Sequence, residues 1–120
     1  MTQLADVADP RSFLPLTDLA FSILVALTDE ELHGYRLIKE LRRRPGREKL
    51  RTGTVYAALA RLRDDGLVQE TPGPAGGNDD ERRRYYTATS LGVSAARAEA
   101  ARLGELLGLA RAKRLTPGRA

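Results

Sequence analysis

The stretch that most constrains this chain is residues 52–66, read together with the two strand-forming segments that follow. Within it Val55, Ala58, Leu59 and Leu62 recur at three- and four-residue steps, so on a helix they share one apolar face. Gly66 stands just past the last periodic turn, where a left-handed terminating residue costs glycine least. The opposite face carries Thr54, Tyr56, Ala57, Arg61 and Arg63. Residues 67–70 and 83–89 then read as strands, the second rich in β-formers. Residues 71–81 between them, with two prolines and three glycines, have a loop composition.

A helix with small, hydroxylated and cationic residues on its outer face suits a surface that slides between phosphates and touches base edges. On its own it is equally an ordinary solvated helix face. The hairpin with a basic returning strand changes the balance, because helix plus hairpin is the recognition element of a winged helix-turn-helix. The expected fold is therefore mostly α with a β-hairpin wing.

Charge supports the same face. The net charge of +4 is unevenly spread: residues 1–35 hold one Arg and six acids, whereas residues 36–51 hold eight Lys and Arg against two Glu. A basic stripe beside a balanced surface is the footprint of a polyanion-binding face.

The flanks complete the architecture. Residues 1–13 have no periodicity and contain Pro10, which reads as a flexible N-terminal arm. Thr17 or Asp18 can cap a first helix whose stripe is Leu19, Ala20, Ile23, Leu24 and Leu27. Leu32 and His33 can form a short strand pairing with the wing. A second helix is expected over about 34–43, burying Tyr35, Ile38 and Leu41 and turning Arg36, Lys39 and Arg43 outward. Residues 14–89 thus form the DNA-binding domain. Residues 90–115 form a long C-terminal helix capped by Thr89 or Ser90, and residues 116–120 a frayed tail. Val93, Ala96, Ala100, Leu103, Leu107 and Ala110 make a narrow heptad-like seam, the pattern of helix pairing in a homodimer. Folding back onto the first helix is the alternative.

Several classes are disfavoured. Cysteine is absent, so there is no disulfide framework and no thiolate metal site or nucleophile. A single histidine, His33, lacks the convergent groups that metal or acid–base sites need; no cofactor, no metal and no enzymatic activity are expected. Gly73, Gly76 and Gly77 do not match a phosphate-loop spacing. The acidic run at 79–81 reads as solvent-facing and would keep the wing tip off DNA, leaving contact to Arg82, Arg83 and Arg84. No apolar run approaches the roughly 20 residues of a membrane span, and the N-terminus has no basic region of a secretory signal, which suits a cytoplasmic protein.

Four blocks, in this order, resemble the PadR (phenolic acid decarboxylase repressor) regulators with a short C-terminal helix. They are Leu-Thr-Asp-Leu-Ala-Phe-Ser-Ile-Leu from Leu16, Leu-His-Gly-Tyr-Arg-Leu-Ile-Lys-Glu-Leu from Leu32, Gly-Thr-Val-Tyr-Ala-Ala-Leu-Ala-Arg-Leu from Gly53, and Asp-Glu-Arg-Arg-Arg-Tyr-Tyr from Asp80. The resemblance implies a dimeric winged-helix repressor on an inverted-repeat operator, with Thr54 and Tyr56 meeting DNA and Arg83 and Arg84 meeting its backbone. It also implies a small-molecule effector, often aromatic or apolar. Three positions depart from the family pattern. Arg51-Thr52 replaces Ser-Pro, so Thr52 must cap the helix and Arg51 becomes a candidate DNA contact. Ser90-Leu91 replaces Pro-Glu. Tryptophan is absent, which removes an indole stacking pocket.

The reading that results is a sequence-specific transcriptional regulator that partners double-stranded DNA and a second copy of itself. Arg36, Lys39 and the wing arginines would supply phosphate contacts. Arg51, Thr52, Thr54, Tyr56, Ala57 and Arg61 would supply register and readout. Tyr56 turned into the core is the alternative for that residue. A winged-helix protein-interaction module without operator specificity is the alternative for the whole chain. A charged effector, such as a nucleotide held by the arginines of 42–51 and of the tail, is a third possibility within the main reading.

Overall fold

The computed structural model describes residues 8–73 and 84–117. A 3-10 turn, Pro10–Phe13, precedes α1 (Asp18–Leu27), β1 (Leu32–His33), α2 (Gly34–Arg42), α3 (Thr52–Asp64), β2 (Val68–Thr71), β3 (Tyr85–Ala88) and α4 (Ser90–Ala112). The strands form an antiparallel sheet in the order β1-β3-β2, with Leu32 opposite Tyr86 and Val68 opposite Ala88. The architecture is the mostly helical, hairpin-bearing one expected from the sequence.

Local chemistry sets most boundaries. The Thr17 hydroxyl accepts from the Ala20 N–H at the start of α1, one of the four donors a helix leaves open there. Gly66, at φ +80°, turns the chain out of α3, and the Leu67 N–H donates back to the Leu62 carbonyl, as a terminating left-handed residue allows. Thr89 does double duty at the last junction: its hydroxyl accepts from Gly92 N–H and donates to the Gly66 carbonyl at 2.7 Å.

The core lies where three helices meet the sheet: Ile23, Leu24 and Leu27 of α1, Leu37, Ile38 and Leu41 of α2, and Val55, Leu59 and Leu62 of α3, closed by Leu67, Val68 and Tyr86. α4 enters this core. Gly92 packs against the Leu67 carbonyl so closely that a Cβ there would overlap that oxygen and crowd Leu24.

Five expectations are corrected. Tyr35 is 61% exposed, because the buried stripe of α2 runs through Gly34, Leu37, Ile38 and Leu41 and leaves residue 35 at its edge. Thr52 is the first residue of α3, not its cap; Arg51 holds the cap position and makes no capping side-chain bond. Ala96, placed in the pairing seam, is buried in the chain's own core beside Ala95. The boundary at residue 90 does not separate two units, since the first ten residues of α4 complete the domain core. Residues 10–13 are not a free arm, for the 3-10 turn packs on α4 with Phe13 against the core. The loop tip, including residues 79–81, Gly76, Gly77, Arg82 and Arg83, lies outside the described residues.

Candidate nucleic-acid interface

Because Val55, Leu59 and Leu62 are drawn inward, α3 exposes Thr54, Ala57 and Arg61 on its outer face and Arg51 and Thr52 at its N-terminal end. Tyr56 is 41% exposed and is neither free nor buried. Its ring lies over Gly34 at the start of α2, so near that a Cβ on Gly34 would overlap the phenol oxygen. The glycine therefore sets where the tyrosine stands. The alternative of an inward-turned Tyr56 does not hold.

α2 flanks this face with cations. Arg36, Lys39, Arg42 and Arg43, with Glu40, line an open depression of about 460 Å³. Glu40 accepts from Arg36 Nε at 3.3 Å and lies 3.6 Å from Arg43, while Lys39 Nζ sits 5.7 Å from the Tyr35 ring centroid, a cation–π distance. These side chains stay exposed, so the pairings are weak and open to exchange for phosphate.

The opposite flank is the sheet. Glu70 on β2 accepts from Arg63 Nη1 of α3 and from Arg84 Nη1, each at 2.9 Å. Between helix and strand lies a groove of about 390 Å³ lined by Tyr56, Leu59, Ala60, Arg63, Glu70, Arg84 and Tyr86. Burial chiefly pushes the Tyr86 phenol pKa up, and the neighbouring Glu70 carboxylate adds to it.

Three arginines of the basic stripe, Arg42 of the depression among them, also bond within the fold. Arg42 Nε donates to the Leu50 carbonyl at 2.9 Å, Arg44 donates to the Ser22 hydroxyl, and Arg47 pairs with Asp18. Together they tie the α2–α3 connection to α2 and to α1. Sequence reasoning also missed Glu99, which is 2% exposed. Its carboxylate accepts from Arg102 at 2.6 and 3.0 Å and from the Leu16 N–H at 3.2 Å. A Glu three residues before an Arg reads as a solvated helix pair, and only the chain packed over it buries the acid.

His33 packs edge-on to Tyr85, ring centroids 5.5 Å apart, which is a structural role. Among the described residues no group of three or more His, Cys, Asp or Glu could hold a metal ion, and no helix is long and apolar enough to cross a membrane. What the face offers is hydrogen-bond donors and exchangeable cations around a protruding helix, a chemistry of binding to a polyanion.

Comparison with known proteins agrees. No curated protein sequence matches the chain. A PadR family transcription regulator from Clostridium difficile R20291 has a similar structure at TM-score 0.65 and 22% identity, covering 78% of this chain and 94% of that one. A PadR-like transcriptional regulator from Bacillus cereus gives TM-score 0.66 at 22% identity, over 82% and 93%. RosR of H. salinarum gives TM-score 0.61 at 27% identity, over 80% and 78%. Residues 23–98 match the profile described as the transcriptional regulator PadR-like family, so the helix, its basic flanks and the sheet belong to a chain that is a member of the PadR-like family of transcriptional regulators.

Proposed function

We propose that the protein is a homodimeric repressor that binds an inverted-repeat operator, inserting α3 of each copy into successive major grooves about 34–36 Å apart. The observation that carries this reading is the exposed face of α3, standing between the cations of α2 and Arg84. Thr52, Thr54, Tyr56, Ala57 and Arg61 would meet base edges and the adjacent backbone, with Arg51 at the helix entrance. Arg36, Lys39 and Arg84, together with Arg82 and Arg83, would meet phosphates. Val93, Ala100, Leu103, Leu107 and Ala110 would pair with the second copy. An effector would act by changing how the two recognition helices are spaced.

The test is a mobility shift on the DNA upstream of the protein's own gene, over a salt series and against scrambled competitor. Specific retention at nanomolar protein, lost in Arg51→Ala/Tyr56→Ala, is the expected result. Equal and steeply salt-sensitive binding to both DNAs would leave only the phosphate contribution and favour a protein-interaction module instead.

A further inference from the structure

Glu70 joins two cations that come from different elements. Its Oε2 accepts from Arg63 on α3 and its Oε1 from Arg84 beside β3, both at 2.9 Å. One carboxylate thus holds two guanidinium groups, with a separate oxygen for each. A backbone phosphate would make the same arrangement, since arginine recognises both anions through the same N–H···O geometry. The two arginine side chains are 47% and 59% exposed, whereas Glu70 is 28% exposed and lies in the groove between helix and strand. Pairs this exposed contribute little to folding. Their effect on the interface is larger: Glu70 offsets one of the two positive charges turned toward a duplex, and Asp64, 3.8 Å from Arg63 Nη2 on the exposed end of α3, partly offsets the other.

We propose that Glu70 is an internal competitor for DNA phosphate, a carboxylate that masks Arg63 and Arg84 and so limits how strongly this face grips any duplex. The proposal rests on the reading of α3 and the sheet as the DNA-binding face, and it adds Arg63 and Glu70 to that face. Phosphate contacts supply most non-specific affinity and carry no sequence information of their own. To reach the two arginines, a phosphate must displace Glu70 or lie against its charge. That penalty lowers affinity for every duplex, and only a site that also offers base-edge contacts is then held at a given protein concentration. An unfavourable element of this kind is a recognised route to discrimination.

Fluorescence anisotropy with a random 24-base-pair duplex, between 50 and 300 mM KCl, tests it. The comparison is among the wild type, Glu70→Gln and Glu70→Gln/Arg63→Gln, with melting temperatures recorded for each. Glu70→Gln keeps the size of the side chain and one accepting oxygen. It is expected to bind random DNA about three- to tenfold more tightly at 100 mM salt, with a slope of log K against log [salt] steeper by about one to two. Adding Arg63→Gln is expected to return the slope by about one. An unchanged slope in Glu70→Gln, weaker binding at unchanged melting temperature, or a gain that Arg63→Gln leaves intact would overturn the proposal while leaving the interface standing. Absence of binding by the wild type and both variants to random and upstream DNA alike would overturn the interface and the proposal together.

Discussion

At the scale of single residues, Glu99 shows how little of a side chain's role its neighbours in sequence reveal. The carboxylate is covered by Arg102 and by the backbone of the incoming chain at Leu16. The hydrogen bond from Arg102 lowers its pKa most, desolvation opposes this, and the Leu16 N–H lowers it further. A carboxyl whose pKa is lower folded than unfolded adds stability above its unfolded value; that stability is lost as the pH falls through the folded one. Glu99→Ala is therefore expected to cost about 1–3 kcal/mol near pH 7. Its stability should also fall less than the wild type's as the pH drops below the ordinary range of a glutamate. Urea melts at pH 7 and pH 3.5 provide the check, and parallel losses in both proteins would count against the linkage. Gly92 gives a second case. A Cβ added there meets the Leu67 carbonyl rather than the end of a movable side chain, so Gly92→Ala must push α4 away from the turn that ends α3. A loss of about 1–3 kcal/mol in the same assay is expected from such overpacking.

At the scale of elements, α3 was the most legible and its entrance the least. The periodic stripe Val55, Leu59 and Leu62, with Gly66 after it, carries both period and stop in the sequence, because helix burial and left-handed termination are local properties. The sheet was readable in its strands and in the pairing of Leu32 and His33 with the wing. Tyr35 is not legible in this way, because a one-residue shift around α2 decides between core and surface, and the choice depends on where α1 sits. The partnership of Arg63, Glu70 and Arg84 could not be read at all, as it spans three elements brought together only by the fold. The start of α3 combines both situations. Arg51 leaves the helix without a side-chain cap and places a cation at the positive end of its dipole, an arrangement that local propensity disfavours. Arg51→Ser is therefore expected to raise stability by about 0.5–2 kcal/mol and, on the proposed reading, to weaken operator binding. Thermal melting and mobility shift on one preparation test this together. Gains in both, or a loss of stability, would remove the argument that Arg51 is kept for contact with DNA.

At the scale of the whole molecule, the question is what the far half of α4 is for. Burial within the chain ends near Glu99, after Ala95 and Ala96. From there to Ala112 the helix runs about 20 Å at the usual rise per residue. Along it Leu103, Leu106, Leu107 and Leu109 are 39–67% exposed. Apolar side chains in this density on one projecting helix are the mark of a surface that another chain covers. On the proposed reading a second copy would cover it through a symmetric contact, in which the same residues meet from both sides. The near half of α4 is anchored through Gly92 to the turn that ends α3, so pairing of the far halves would fix the separation of the two recognition helices. On this view Leu103→Asp/Leu107→Asp leaves each copy folded, because neither residue belongs to its core. If the proposed dimer forms through this seam, the wild type is expected to sediment as a dimer and the variant as a monomer. Binding to a full inverted repeat should fall by at least tenfold, whereas binding to an isolated half-site should change little, since only the linkage between two sites has been removed. A dimer that persists in the variant, or equal losses on full and half sites, would place the dimer contact elsewhere and leave the exposed leucines without this role.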